Sequence, residues 1–242
     1  AGCSKKFEEY SQNKNLPLQV PPSLILPTVL NDMIVYPGGD EDKYNQFIVS
    51  NYDYYGLNEY WSGSANLSYG TLRNVLAMET EAKRLAGSDD NPYHALGLFF
   101  RSFFFVNMSM KVGDLPMNES LQGVNNPTPK YDSQKEIFKK SLAWLDTANT
   151  MLSNFLSNGF LEFSGDYYHS NANNGRDALV LWQKTVNSYK LRVLIELSKK
   201  SDDADLNVKQ QFAAIINNPT QYPIFTSNDD NLQYVYNDKY NY

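Results

Sequence analysis

The sequence predicts an all-α fold: a helical bundle or solenoid of helix pairs joined by long aromatic loops. Three observations carry this. Apolar residues recur at helical spacing over residues 70–86, 133–156 and 176–198. A further run, 92–112, is apolar on most sides, the mark of a helix buried among others. Capping residues, prolines and glycines stand where each run should begin or end.

The elements follow in chain order. Pro21-Pro22-Ser23 opens an apolar run over residues 24–36, with Ser23 as N-cap and Pro27 in the first turn. Pro37-Gly38-Gly39 stops it. A second helix is expected over residues 42–54. Residues 56–70 read as a loop carrying Tyr60, Trp61 and Tyr69. Leu72, Val75, Leu76, Met78, Ala82 and Leu85 then define a helix over 70–86, closed by Gly87. Asn91-Pro92 supplies N-cap and first position for the next, which carries five phenylalanines between Phe99 and Phe105. Residues 113–130 form a long loop with Pro116, Pro127 and Pro129. Ser133 with Glu136 reads as a capping box, and Ile137, Phe138, Leu142, Leu145, Ala148, Met151, Leu152 and Phe155 share one face behind it. Residues 158–174 are polar and aromatic, a loop or short strand. A helix over 176–198 carries Trp182, Val186, Val193 and Leu194, and a last one covers 206–216 before Asn217-Asn218-Pro219. Residues 220–242 are rich in Tyr and Asn, without helical period.

Composition excludes several functions. The 242 residues are 42% hydrophobic and 20% charged, a globular balance. Net charge is -6 with no basic run, which argues against nucleic acid, since phosphate binding needs clustered Lys and Arg. The most apolar stretch, 96–110, is interrupted by Arg101 and Asn107 and reads as core rather than membrane span. With one cysteine, Cys3, neither an internal disulfide nor a cysteine metal site can form. His94 and His169 lie too far apart for adjacent-ligand zinc spacing. The acidic clusters Asp40-Glu41-Asp42 and Asp202-Asp203-Ala204-Asp205 lack the spacing and glycine of a calcium loop. No nucleophile elbow, phosphate-cradling loop or zinc-protease motif appears. No catalytic residue, metal or cofactor is therefore assigned, and the expectation is a protein that is not an enzyme.

The N-terminus is distinctive. Ala1-Gly2-Cys3 resembles the end of a bacterial lipoprotein signal, where the cysteine becomes residue one and is acylated. A polar stretch over residues 5–15 follows, suited to a flexible tether. Residues 1–20 are read as lipidated N-terminus and tether, with Cys3 as the lipidation site, and 21–242 as the helical domain.

The helices fall into two pairs, 70–112 and 133–198, and stacked hairpins of this kind are similar to tetratricopeptide-type solenoids, without the short repeat consensus. Three ordered blocks make the resemblance specific. The phenylalanine-rich helix ends in Gly113-Asp114-Leu115-Pro116-Met117-Asn118-Glu119. Next, Pro129-Lys130-Tyr131-Asp132-Ser133-Gln134 enters a helix that carries Leu145-Asp146-Thr147-Ala148. The third block is Trp182-Gln183-Lys184-Thr185-Val186-Asn187-Ser188-Tyr189-Lys190-Leu191-Arg192. Together, behind Cys3, they resemble the SusD/RagB-like outer-membrane lipoproteins of the Bacteroidota. The likeness covers nearly the whole chain but corresponds to the N-terminal half of the family, so the domain is expected to stop short of the family's C-terminal half. The signature residues, Trp182, Asn187 and Arg192 among them, are read as structural, packing and hydrogen-bonding between helices.

The resemblance implies a cell-surface nutrient-uptake lipoprotein that captures oligosaccharide or peptide. It would act as the lid of a SusC-like TonB-dependent β-barrel transporter, anchored to the outer membrane by lipid. Sugar recognition uses aromatic faces, so the loop aromatics Tyr52, Tyr54, Tyr55, Tyr60 and Trp61 are the ligand-binding candidates. The alternative is a helical-repeat scaffold for protein–protein interaction, without a small ligand.

Overall fold

A computed structural model describes residues 19–35, 42–43, 45–49, 65, 67–158, 162–170 and 172–235. Among the described residues six α-helices follow one another: α1 Pro22–Asn31, α2 Tyr69–Ala86, α3 Pro92–Val112, α4 Gln134–Ser157, α5 Gly175–Glu196 and α6 Val208–Asn217. Among the described residues the only β pairing is an isolated antiparallel bridge between Leu115 and Asp132, so the fold is all-α.

Each helix packs mainly on its neighbours in sequence. The side-chain bonds give the directions. Arg101 of α3 clamps Glu79 of α2, while Met108, one turn before the end of α3, receives the N–H of Ser68 at the start of α2. Gln134, first in α4, donates to the Ser109 carbonyl near the end of α3. Arg176, near the start of α5, reaches the Leu156 carbonyl near the end of α4, and Asp146 pairs with Lys190 further along. Consecutive helices α2 to α5 are therefore antiparallel, a run of stacked hairpins.

Local chemistry explains the ends. Gly87 takes a left-handed φ of 75° to close α2, and Asn91 accepts the His94 N–H to open α3. Ser133 accepts the N–H of Glu136 at the start of α4. The first helix departs from expectation. Its N-cap is Pro21, and Ser23 lies inside it. It stops at Asn31 rather than running to residue 36, because Thr71 of α2 hydrogen-bonds Asp32 at 2.6 Å and fixes the chain as it leaves the helix. The helix expected from residue 42 does not continue through 45–49. There Gln46 takes φ 61°, and the Phe47 and Ile48 N–H groups both turn back to the Asp42 carbonyl. Residues 50–54 lie outside the described set. Tyr69, expected in a loop, is the first residue of α2.

Helix α3 is long and apolar enough to cross a bilayer by length and composition, yet most of it is buried in the protein, so it is a core helix. Phe99 and Phe100 meet Trp182 of α5 edge-on, with ring centroids 5.4 and 5.7 Å apart. Around them lies the main core, drawn from α1 to α5. A smaller core joins Val106, Phe138, Leu142, Val193, Leu194 and Ile215 where α6 packs on α5.

Candidate functional site

The first two sequence blocks meet in one clamp. Asp132 accepts the backbone N–H groups of Met117 and Asn118, both at 2.8 Å, through one carboxylate oxygen and the Asn118 side chain through the other. Burial works against the charge, but those N–H groups outweigh it and hold the Asp132 carboxyl below its usual range. Asp114 in return accepts the Gln134 N–H. Tyr69 donates to the Pro116 carbonyl, and its phenol is pushed up to about 12 by burial and by the nearby Tyr131 and Asp132. The long loop 113–133 is thus folded back on the end of α3 and the start of α4.

The third block makes a polar seam. Asn149 of α4 accepts from both Gln183 and Asn187 of α5, at 3.0 and 2.9 Å. Asn149 and Asn187 also donate to the Gln221 and Pro223 carbonyls, and Ser188 accepts the Phe225 N–H. Lys184 bonds Asp230, whose carboxylate also collects the Thr226 N–H and hydroxyl. The Lys184 bond, with the Thr226 groups, pulls the Asp230 carboxyl down to about 2 against the effect of burial. One side of α5 therefore holds the segment 221–230. Arg192, expected to bond between helices, is exposed on the surface instead.

A hub tethers residues 163–169. Asp166 accepts from the Trp182 indole and faces His169 Nδ1, both at 2.8 Å, and takes the Tyr168 and His169 N–H groups on its other oxygen. Tyr168 donates to the Leu30 carbonyl of α1. Gly165 at φ 86° lies so close to the Ser23 carbonyl that no Cβ would fit.

Sequence reasoning missed three features. The Asp166 hub left only the three-residue spacing of Asp166 and His169 as a signal. Glu79 is buried against Gly97, where a Cβ would clash with its carboxyl, and is clamped by Arg101. Its signal is a charge on the apolar stripe of α2, between Val75 and Ala82. Lys190 lies likewise on the stripe of Val186 and Val193. The acidic cluster near residue 203 is tied by lysines, Lys135 to Asp203 and Asp205 and Lys209 to Asp202. Among the described residues no group of three or more His, Cys, Asp or Glu side chains is placed to hold a metal. Cys3, Tyr52, Tyr54, Tyr55, Tyr60 and Trp61 lie outside the described residues.

The clamp, the seam and the antiparallel hairpins can be set against known proteins. The model of the SusD-like proteins, described as "Starch-binding associating with outer membrane", matches residues 36–242. The chain belongs to the SusD-like family. This SusD-like chain superposes on a candidate nutrient-binding outer-membrane protein from Bacteroides vulgatus with a TM-score of 0.72 at 28% identity, covering 91% of this chain and 45% of that one. A SusD homologue from Bacteroides fragilis gives a TM-score of 0.69 at 32% identity, over 89% and 44%. A second from that organism gives 0.69 at 28%, over 91% and 45%. The chain thus spans less than half the length of these solved relatives. None of the curated proteins matches it. All three signature blocks of this SusD-like chain fall inside the matched residues.

Proposed function

We propose that this chain is part of a cell-surface lipoprotein that captures an oligosaccharide or a peptide and closes as a lid over a TonB-dependent β-barrel transporter. The observation that carries the reading is the family match over residues 36–242, with its association to the outer membrane. The physical support is the build of the domain. The loop between α3 and α4 is fastened to α2 by Tyr69 and to α4 by Asp114, and the segment after α6 is fastened to α5 by the Lys184–Asp230 pair, so the domain can move as one body on a tether. In this proposal Cys3 carries the lipid, residues 1–20 are the tether, and 21–242 form the binding half. Tyr52, Tyr54, Tyr55, Tyr60 and Trp61 offer their faces to the ligand. The role is binding rather than catalysis.

The test is a mild-detergent pull-down of the full-length protein from native outer membranes, followed by mass spectrometry. The expected result is co-isolation of a large β-barrel transporter, a lipid on Cys3, and a retained glycan or peptide. Recovery of the protein alone and unlipidated overturns the proposal.

A further inference from the structure

Helix α5 turns one charged side chain into an apolar stripe. Lys190 lies four residues after Val186 and three before Val193, and only 4% of its side chain is exposed. An ammonium carries three donors, and the bond to Asp146 Oδ1, at 2.6 Å, uses one of them. A charge buried as deeply as Lys190 is a poor source of stability, since an apolar residue of similar volume often serves as well or better. Its partner shows where the charge is directed. Asp146 is 45% exposed and opens into a groove of about 330 Å³ between α4, α5 and α6.

The groove is lined by both charged and neutral polar side chains. Lys139 joins Lys190 in its lining, so two lysines and one aspartate, Asp146, are its charged residues. Lys139 has a loose neighbour, Glu136, at 3.8 Å, with both side chains half exposed. Gln211 and Tyr222 supply neutral polar walls, and Leu142 an apolar one. Burial lowers the Lys190 ammonium below its usual range while Asp146 pulls it back, so a second anion would stabilise the charged form further. The volume is near the small end of ligand pockets, which suits one sugar or amino-acid unit.

We propose that this groove is a binding site for a small carboxylate, held by Lys190 and Lys139, with Asp146 as the internal competitor. The site does not depend on the outer-membrane role, and its test is separate from the pull-down.

The test is an NMR titration of the intact protein, following backbone amides. The probes are sodium glucuronate, a sugar acid, and N-acetylalanine, the end of a peptide. Controls are the methyl ester of each and sodium chloride at matched ionic strength. Saturable shifts at the amides of Lys190, Gln211 and Tyr222 are expected for at least one acid, with about tenfold weaker binding of its ester. The acid that binds identifies the source. Lys190→Met is expected to weaken binding about tenfold, and Asp146→Asn to strengthen it several-fold. Asn keeps an oxygen for Lys190, so Asp146→Asn carries the test should Lys190→Met fail to fold. Equal response to acid, ester and chloride, no response to either acid, or unchanged affinity in Asp146→Asn overturns the proposal.

Discussion

The core under α3 and the seam between α4, α5 and the final segment hold the same helices by different physics. In the core, Phe99, Phe100 and Trp182 meet with apolar surfaces, and the gain scales with area removed from water. In the seam, Asn149, Gln183 and Asn187 are buried polar groups that favour folding only when their partners are in place. Apolar contact tolerates a shift in register, whereas an amide that loses its partner does not. The core therefore supplies most of the stability, and the seam decides which backbone docks where. Two of the three sequence blocks meet in the Asp132 clamp, and the third runs along α5 with Trp182 in the core and Asn187 in the seam.

The comparison can be broken in order of expected effect. Trp182→Ala is expected to cost about 4 kcal/mol, because it leaves a cavity among fully buried rings and takes one donor from Asp166. Urea unfolding followed by circular dichroism reads this, and a cost below about 1 kcal/mol would remove the core from its leading place. Asn187→Ala is expected to cost about 2 kcal/mol, since it orphans the Pro223 carbonyl. Its signature is faster hydrogen exchange in residues 219–235 with the α3 amides unchanged; a uniform rise would mean that the seam does not act locally. Asp132→Ala should likewise cost about 2 kcal/mol and expose residues 113–133 to limited proteolysis.

A pH series sharpens the same contrast. Asp132 and Asp230 both titrate below their ordinary value of about 3.9. The stability they contribute is therefore fully present above that value and lost as pH falls through the folded one, about 2 for Asp230. The gap in urea midpoint between the parent protein and Asp230→Asn should be constant near neutral pH and narrow towards about pH 2. A gap that does not change with pH would assign the effect to packing. The smallest change is expected from Lys135→Met. It removes an exposed pair with Asp203 and Asp205 and should leave the thermal midpoint unchanged within error.

Much of this was legible in the chain. The period of α2, α4 and α5, the Asn91-Pro92 start of α3 and the Gly87 stop are local chemistry, and they stand where the sequence puts them. The misreadings arose where the chain departs from its periodic pattern. Asn31 ends α1 because Thr71 bonds Asp32 from across the fold, and neither residue marks that end by itself. Residues 45–49 look helical by composition, yet Gln46 reverses the chain. The candidate site divides the same way. The blocks that identified the family were visible as residues, whereas their grouping into clamp and seam needed contacts across 14 to 72 positions.

By itself the sequence determined the helical class, the order of the main helices and the family, because period, caps and short motifs act over one or two turns of chain. Only the tertiary structure decided that Asp132 closes the loop after α3, that Asp166 ties its segment to Trp182, and that Lys190 opens into a groove beside Asp146. A buried charge shows its purpose only in the company it keeps, since burial raises its cost and distant partners alone offset it.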